Sequence, residues 1–333
     1  MVEIMDKKII ENLLAAMPQG KIGVIGDFCT DVYWDIQPEK GEVSLETGLT
    51  TIPVTAARYS PGGAGNIVAN LRGLQVTKIP CAGALGSDPF GLWMRDVLIG
   101  NTPEYSAALL MIDRPDYHTP VYCKPLLNSV EQPRIDLGDT PLTDAEADCV
   151  LDELEKILPQ LKVLIVNGQL TCGIHHGEQF RERFAGIVKK FAPQIKFVFD
   201  GRDFLDSYPK ATLKINASAA SVLAFGKSGF APEKSGRAIL ERTGDELVIT
   251  DGENGCYVFE SGGTTYIPAI RYDGPVDTVG AGDSFTAGFA YGLAAGASMV
   301  DAAAFGTCCS AVTIRKLNQT GTPSAAEIME ILL

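Results

Sequence analysis

Short, unbroken runs of aliphatic and β-branched residues recur along the chain, and each is closed by Gly, Asp, Asn or Thr. Ile22-Gly-Val-Ile25 precedes Gly26-Asp27, Val163-Leu-Ile-Val166 precedes Asn167-Gly168, and Phe197-Val-Phe199 precedes Asp200-Gly201. Leu213-Lys-Ile215 runs into Asn216, and Leu247-Val-Ile249 into Thr250-Asp251-Gly252. Continuous rather than alternating apolar character is what a strand buried on both faces requires. Helical periodicity fills the intervals, at Asp144 to Leu158, Glu178 to Phe191 and Lys234 to Arg242. This alternation predicts an α/β fold, a mainly parallel sheet with helices on both faces. Ligands of such sheets bind beyond the carboxyl ends of the strands, so the closing residues mark the edge where chemistry is expected.

Two segments break the rhythm. Residues 33–59 and 116–137 are rich in Thr, Val, Pro and Tyr and carry no helical pattern. They predict β-structure inserted into the core as a small lid. No internal repeat or linker divides the chain, so residues 1–333 are expected to form a single domain bearing that lid. The first twenty residues fit an amphipathic helix ending near Pro18 and Gly20 and lack the apolar stretch of a secretory signal. No run of eighteen apolar residues offers a membrane span.

Composition narrows the partners. Apolar residues make up 46% of the 333 positions, enough for a sizeable core and too many for a disordered chain. The net charge of −13 disfavours nucleic acid and anionic membrane as partners. It leaves room for a phosphorylated ligand held by a local cluster of donors. The eight cysteines form no C-x-x-C pair, which predicts free thiols and a cytoplasmic location.

The strongest candidate for chemistry is Asp277-Thr-Val-Gly280-Ala281-Gly282-Asp283-Ser-Phe285, running into a helix-like Thr286 to Gly296. Small residues let successive N–H groups at a helix N-terminus converge on one anion. A carboxylate at Asp283 beside that anion suits phosphoryl transfer, with the amides of Gly280, Ala281 and Gly282 stabilising charge and Asp283 taking a hydroxyl proton. A capped, tightly packed helix is the plainer alternative, and Gly288, Gly292 and Gly296 share a face that must meet either a backbone or a ligand. A second glycine-rich stretch, Pro61-Gly62-Gly63-Ala64-Gly65-Asn66, enters the periodic segment Ile67 to Leu74, and Asn66 can both donate to and accept from a polyol. Gly226-Lys227-Ser228 lacks the upstream glycine of a phosphate-binding P-loop, and adjacent His175-His176 face different ways, against a shared metal.

Together these stretches resemble the two signatures of the ribokinase, or PfkB, family of carbohydrate kinases, and the likeness runs from about Lys21 to Pro323. The resemblance implies a ribokinase-like three-layer αβα core with a small β-lid, and Mg²⁺-ATP as phosphoryl donor. It implies Asp283 as base, with Gly280, Ala281 and Gly282 as the anion hole. Asp27, Asp31, Gly63 and Asn66 would hold the acceptor, and Asn216, Thr250, Gly252 and Gly255 would contact the nucleotide. Gly26-Asp-Phe-Cys-Thr-Asp31-Val-Tyr-Trp34, Ser44-Leu-Glu46 and Pro133-Arg134-Ile-Asp136 resemble the bacterial heptose-phosphate kinases, making Arg134 a candidate for a substrate phosphate. An adenylyltransferase domain follows the kinase in several of those enzymes; a chain of this length is expected to hold the kinase step alone.

Three departures qualify the likeness. The family's usual Asn-x-x-Glu reads Asn216-Ala-Ser-Ala219, removing a glutamate that organises metal and phosphate through water. Arg315-Lys316-Leu317-Asn318 carries Leu where many relatives have Gly near a monovalent-cation site, which leaves potassium dependence open. Asn167-Gly-Gln-Leu-Thr lacks the Asp-Tyr-Gly of heptose-phosphate kinases, which leaves the acceptor sugar open. A nucleoside kinase on the same fold, or a non-catalytic sugar or nucleotide sensor, fits the same signatures. Family likeness also suggests dimerisation through the lid.

Overall fold

A computed structural model describes residues 6–99, 108–317 and 319–332. Asn318 and the first five residues of the expected N-terminal helix lie outside them. Strands and helices are numbered in chain order.

The large sheet has nine strands: β1 (Ile22–Gly26), β4 (Cys81–Gly86), β5 (Ala108–Ile112), β9 (Val163–Gly168), β10 (Lys196–Gly201), β11 (Thr212–Asn216), β12 (Leu247–Thr250), β13 (Cys256–Glu260) and β14 (Gly263–Ile267). Their order is β14-β13-β12-β11-β10-β9-β1-β4-β5. All neighbours from β12 to β5 pair parallel, and β13 and β14 extend the sheet as an antiparallel edge. The apolar runs expected to be strands all lie in the parallel part. β1 and β9 are buried at every position, as two covered faces demand.

One face carries helices α1 (Lys7–Ala16), α2 (Ala64–Gly73), α8 (Ala281–Ala294), α9 (Met299–Thr313) and α10 (Ala325–Glu330), with α3 (Pro89–Ile99) beside them. The other carries α4 (Asp144–Ile157), α5 (Glu178–Phe191), α6 (Ala217–Phe225) and α7 (Pro232–Thr243). Each face has its own apolar cluster, so the core is a three-layer αβα sandwich. α4 starts where Thr143 and Glu146 close a reciprocal capping box. The glycine face of α8 meets backbone rather than ligand: Gly288 abuts Gly306 and Cys309, and Gly292 abuts Ala302, all on α9. Gly296 lies beyond the helix in the left-handed region, as a C-terminal cap.

A second, five-stranded sheet stands apart: β2 (Phe28–Ile36), β3 (Val54–Gly63), β6 (Val121–Leu127), β7 (Val130–Glu131) and β8 (Ile135–Leu137). Its two long strands overrun the expected segments at their core ends. Asp31 therefore sits within a strand of this sheet, and Gly62 and Gly63 end β3 instead of forming a loop into α2. All eight cysteines are free, six of them buried. Among the described residues no helix is long and apolar enough to cross a membrane.

Candidate active site

The sheet register lines polar residues into one row at the carboxyl edge. Gly26 of β1 pairs with Asn167 of β9, Asn167 with Asp200 of β10, and Asp200 with Lys214 of β11. Two residues on, Asn216 pairs with Thr250 of β12. The row crosses the β1–β9 boundary, where the chain turns from building the sheet on one side to building it on the other. Open α/β sheets place their ligands at that crevice.

α8 begins above this row. Gly280 caps it with φ of 76°, and a Cβ there would sit 2.9 Å from both Asn66 Nδ2 and Thr320 Cγ2, so glycine is required on two counts. Asp283 falls in the first helical turn, where the helix dipole favours a negative charge. Its Oδ2 accepts a hydrogen bond of 2.6 Å from Asn66 Nδ2, while Asn66 Oδ1 accepts one of 3.1 Å from Asn70. Burial, then the neighbouring Asp200 carboxylate, push the Asp283 carboxyl up to about 6; the Asn66 hydrogen bond and Lys214 pull it down. One expected anion-hole donor is already engaged, since the Ala281 N–H donates to Thr278 O at 3.2 Å.

Beneath Asp283 lies a buried ionic network that the sequence reading did not single out. Lys214 Nζ pairs with Asp200 Oδ2 at 3.0 Å, and the Thr286 hydroxyl donates to the same oxygen at 2.6 Å. The signal was present: a lysine inside an apolar strand, Leu213-Lys-Ile215, is rare unless paired. Asn167 is one of the strand-closing residues expected at this edge, with no role of its own assigned from sequence. It is fully buried, and neither atom of its amide has a hydrogen-bond partner among the described residues. A Cβ on Gly63 would lie 3.5 Å from its Oδ1.

Asp27, expected to hold the acceptor, meets the backbone of the loop after β9. Its oxygens accept from the backbone N–H groups of Gln169, Leu170 and Ile174 at 2.9, 2.9 and 2.7 Å. The carboxylate thus organises the loop after β9, while its own carbonyl receives the first N–H of α2, from Ala64. Burial pushes its carboxyl up to about 6 in spite of these three donors.

The second sheet turns a polar face toward this edge. Asp31 is opposite Ser60 and Tyr122, and Tyr33 opposite Arg58 and Lys124, so all six project to one side. Lys124 Nζ is 3.0 Å from Asp31 and 3.3 Å from the Tyr33 hydroxyl. Arg58 and Lys124 lie over the Tyr33 ring, and Arg134 over Tyr122 while paired with Asp136 at 2.6 Å. A Cβ on Gly62, at the end of β3 that leads into α2, would lie 3.3 Å from Asp31 Oδ2, so this face borders the glycine-rich entrance of α2. The reverse face, with Val32, Val121 and Cys123, packs on Phe90 of α3.

On the far side of Asp283, Asn216 caps α6 by accepting from the Ala219 N–H at 2.8 Å, leaving Ala219 in the first turn with no carboxylate to offer. Gly252 and Gly255 bracket a short 3-10 turn after β12 with φ of 55° and 93°. The structure thus brings Asp283, Asn66, Gly280 and Gly282 together and places Asn216, Thr250, Gly252 and Gly255 along the same edge. Arg134 stands off at the second sheet. Of the adjacent pair His175-His176, His175 is buried between the Tyr208 hydroxyl and Asn167 O, with burial lowering its pKa to about 4, and His176 is exposed. Among the described residues no three His, Cys, Asp or Glu side chains gather as a metal site.

A carboxylate beside an open helix N-terminus, at the crevice of a parallel sheet, is chemically suited to moving a phosphoryl group onto a hydroxyl. Residues 139–325 match the pfkB family carbohydrate kinase profile, more than half of the chain. The chain belongs to this family, whose members are phosphotransferases with an alcohol group as acceptor. The bifunctional protein HldE of Vibrio cholerae is 25% identical over 312 residues, 92% of this chain and 62% of that protein. The chain therefore spans less than two thirds of that relative's length. The structure of Arabidopsis thaliana ribokinase complexed with ribose and ATP matches with a TM-score of 0.71 and 19% identity, over 94% of this chain and 99% of that one. Phosphofructokinase-2 from Escherichia coli, in complex with fructose-6-phosphate, matches with a TM-score of 0.69 and 15% identity, over 93% and 97%. The fold is ribokinase-like, as the sequence resemblance implied.

Proposed function

We propose that the protein transfers the γ-phosphoryl group of ATP to a hydroxyl of a sugar or sugar phosphate, with Asp283 as the base. The observation that carries this is the Asp283 carboxylate, raised toward neutrality and oriented by Asn66, at the open N-terminus of α8. The acceptor hydroxyl gives its proton to Asp283 as its oxygen bonds to the γ-phosphorus. The bond from that phosphorus to the bridging oxygen breaks, and ADP leaves with the electron pair. Gly280 shapes the turn, Gly282 keeps the helix entrance open, Ala281 has its N–H engaged by Thr278 O, and the first-turn amides of Gly282 and Asp283 are the proposed donors to the moving charge.

The acceptor is placed between the row and the polar face of the second sheet, which acts as the lid. Asp31, Asn66, Asn167 and the Gly63 backbone are its proposed contacts, and the unpartnered Asn167 amide supports a polyol there. Arg134, over Tyr122, is the proposed reader of a second phosphate. The nucleotide is placed over Asn216, Thr250, Gly252 and Gly255, and ATP complexed with the Arabidopsis ribokinase supports its use. The donor set here does not fit a protein-held Mg²⁺, because Ala219 replaces the family's glutamate and Asp200 is paired with Lys214. Mg²⁺ is proposed to enter on the nucleotide phosphates.

The exposed apolar side chains Leu45, Leu49 and Ile52, between β2 and β3, support a dimer formed through the lid, which sedimentation tests. The substrate reading is tested by ADP release from ATP and Mg²⁺ over hexoses, heptoses, their phosphates and nucleosides. A phosphorylated sugar is expected to work best, and Arg134→Ala to raise its KM about tenfold while sparing the neutral sugar. Preference for a nucleoside would transfer the reading to that class.

A further inference from the structure

We propose that Lys214 is a nucleotide-phosphate contact, a fixed ammonium beneath the entrance of α8 that supplies in this chain the charge relatives organise through a glutamate. The inference rests on the kinase reading above, and four observations carry it.

Lys214 is 6% exposed, in the middle of β11. Holding an ammonium in such a place is unfavourable by several kcal/mol unless it is paired, so the position is not a neutral one. Its pairing is incomplete. The ammonium carries three donors, and Asp200 Oδ2 at 3.0 Å is its one hydrogen-bond partner among the described residues. Asp200 is itself held by the Thr286 hydroxyl, whose oxygen lies 3.0 Å from Gly282 O, so the pair is tied to the first turn of α8.

The remaining donors have an open direction. A Cβ placed on Gly282 would lie 3.2 Å from Lys214 Nζ, so any side chain there would cover the ammonium. Glycine leaves it facing the helix entrance. The same small residue thus exposes two kinds of donor to one anion, the terminal amides and the ammonium.

The fourth observation is the adjoining substitution. Asn216 and Thr250 lie next along the edge, and the first turn of α6 offers Ala219 in place of a carboxylate. A glutamate can act on a phosphate only through a cation or water. An ammonium acts directly, as a charge-assisted hydrogen bond.

Calorimetric titration of ATP and of adenosine, in excess EDTA, reads the contact without metal and without turnover. Wild type is expected to bind ATP more tightly than adenosine under these conditions. Lys214→Met is expected to weaken ATP binding by about 10- to 100-fold, the usual weight of a hydrogen bond to a charged group, and to leave adenosine within about twofold. Lys214→Arg should recover part of the loss. Because Lys214→Met strands the Asp200 charge, the double variant D200N/K214M is titrated beside it, with thermal unfolding as the check on folding. Equal losses for ATP and adenosine, no loss for ATP, or wild-type ATP binding only with Mg²⁺ would each overturn the inference. If wild type phosphorylates a sugar while the double variant still binds ATP normally, the inference fails and the kinase reading stands. If wild type binds neither ligand, both fail.

Discussion

Asn66 Nδ2 donates to Asp283 Oδ2 at 2.6 Å across 217 positions of sequence, joining the entrance of α2 to the entrance of α8. Both helices begin with glycine at positive φ, Gly63 and Gly280; Gly280 is crowded by Asn66 of the α2 entrance, and Gly63 by Asp27 O and Asn167. The two glycine-rich signatures are therefore halves of one device that holds a carboxylate still.

That bond has a readable effect on pH dependence. A base must be ionised to act, so kcat/KM should fall as pH drops through the Asp283 pKa near 6. Asn66 lowers this pKa, so Asn66→Ala should move the acid limb upward by about one unit. A profile from pH 5 to 8 for both proteins checks this. An unmoved limb would remove Asn66 from the account.

Asp283 should also weigh on stability. Its folded pKa, about 6, lies above the ordinary carboxylate value, so the native state holds its proton more tightly than the unfolded chain does. The stabilising proton is fully bound below about pH 4 and lost as pH rises through 6. Asp283→Asn should therefore raise the denaturation midpoint at pH 8, by about 1–3 kcal/mol of stability, with the gain shrinking toward pH 4. Urea unfolding at the two pH values measures it, and a gain independent of pH would contradict the assignment of the cause.

Asp27 should behave differently. Asp27→Ala leaves the N–H groups of Gln169, Leu170 and Ile174 without their acceptor. Each orphaned donor costs about 1–3 kcal/mol, and release of the buried charge offsets part. A net loss of about 2 kcal/mol or more is expected in urea unfolding. An unchanged midpoint would show that the loop does not depend on this carboxylate.

Most of the parallel strands were legible because burial on both faces leaves unbroken apolar runs: β1, β9, β10, β11 and β12 announce themselves so, β4 is broken by glycines, and β5 was not singled out. The edges of the second sheet were not. Asp31 looks like a polar residue after a strand, and only its pairing with Ser60 and Tyr122 shows it to be inside one. Asp283 was legible from its glycines, whereas the bond that Asn66 makes to it was not, because the two lie 217 positions apart. Asp27 carried a strand-end signal, but its three hydrogen bonds go to the backbone of a loop whose path no local pattern encodes. Lys214 carried a local signal, a lone charge in an apolar strand, and its meaning depended on Asp200 beside it in the sheet.

The most direct test of the central claim compares wild type and Asp283→Asn for ³¹P-detected transfer from ATP to the best sugar or sugar phosphate. Wild type should form ADP and a new phosphomonoester in equal amounts. Asp283→Asn should turn over about 10²–10⁴-fold more slowly, the usual weight of general-base catalysis, while still binding ATP. Near-full transfer by the variant, or none by wild type to any hydroxyl acceptor, would contradict the account.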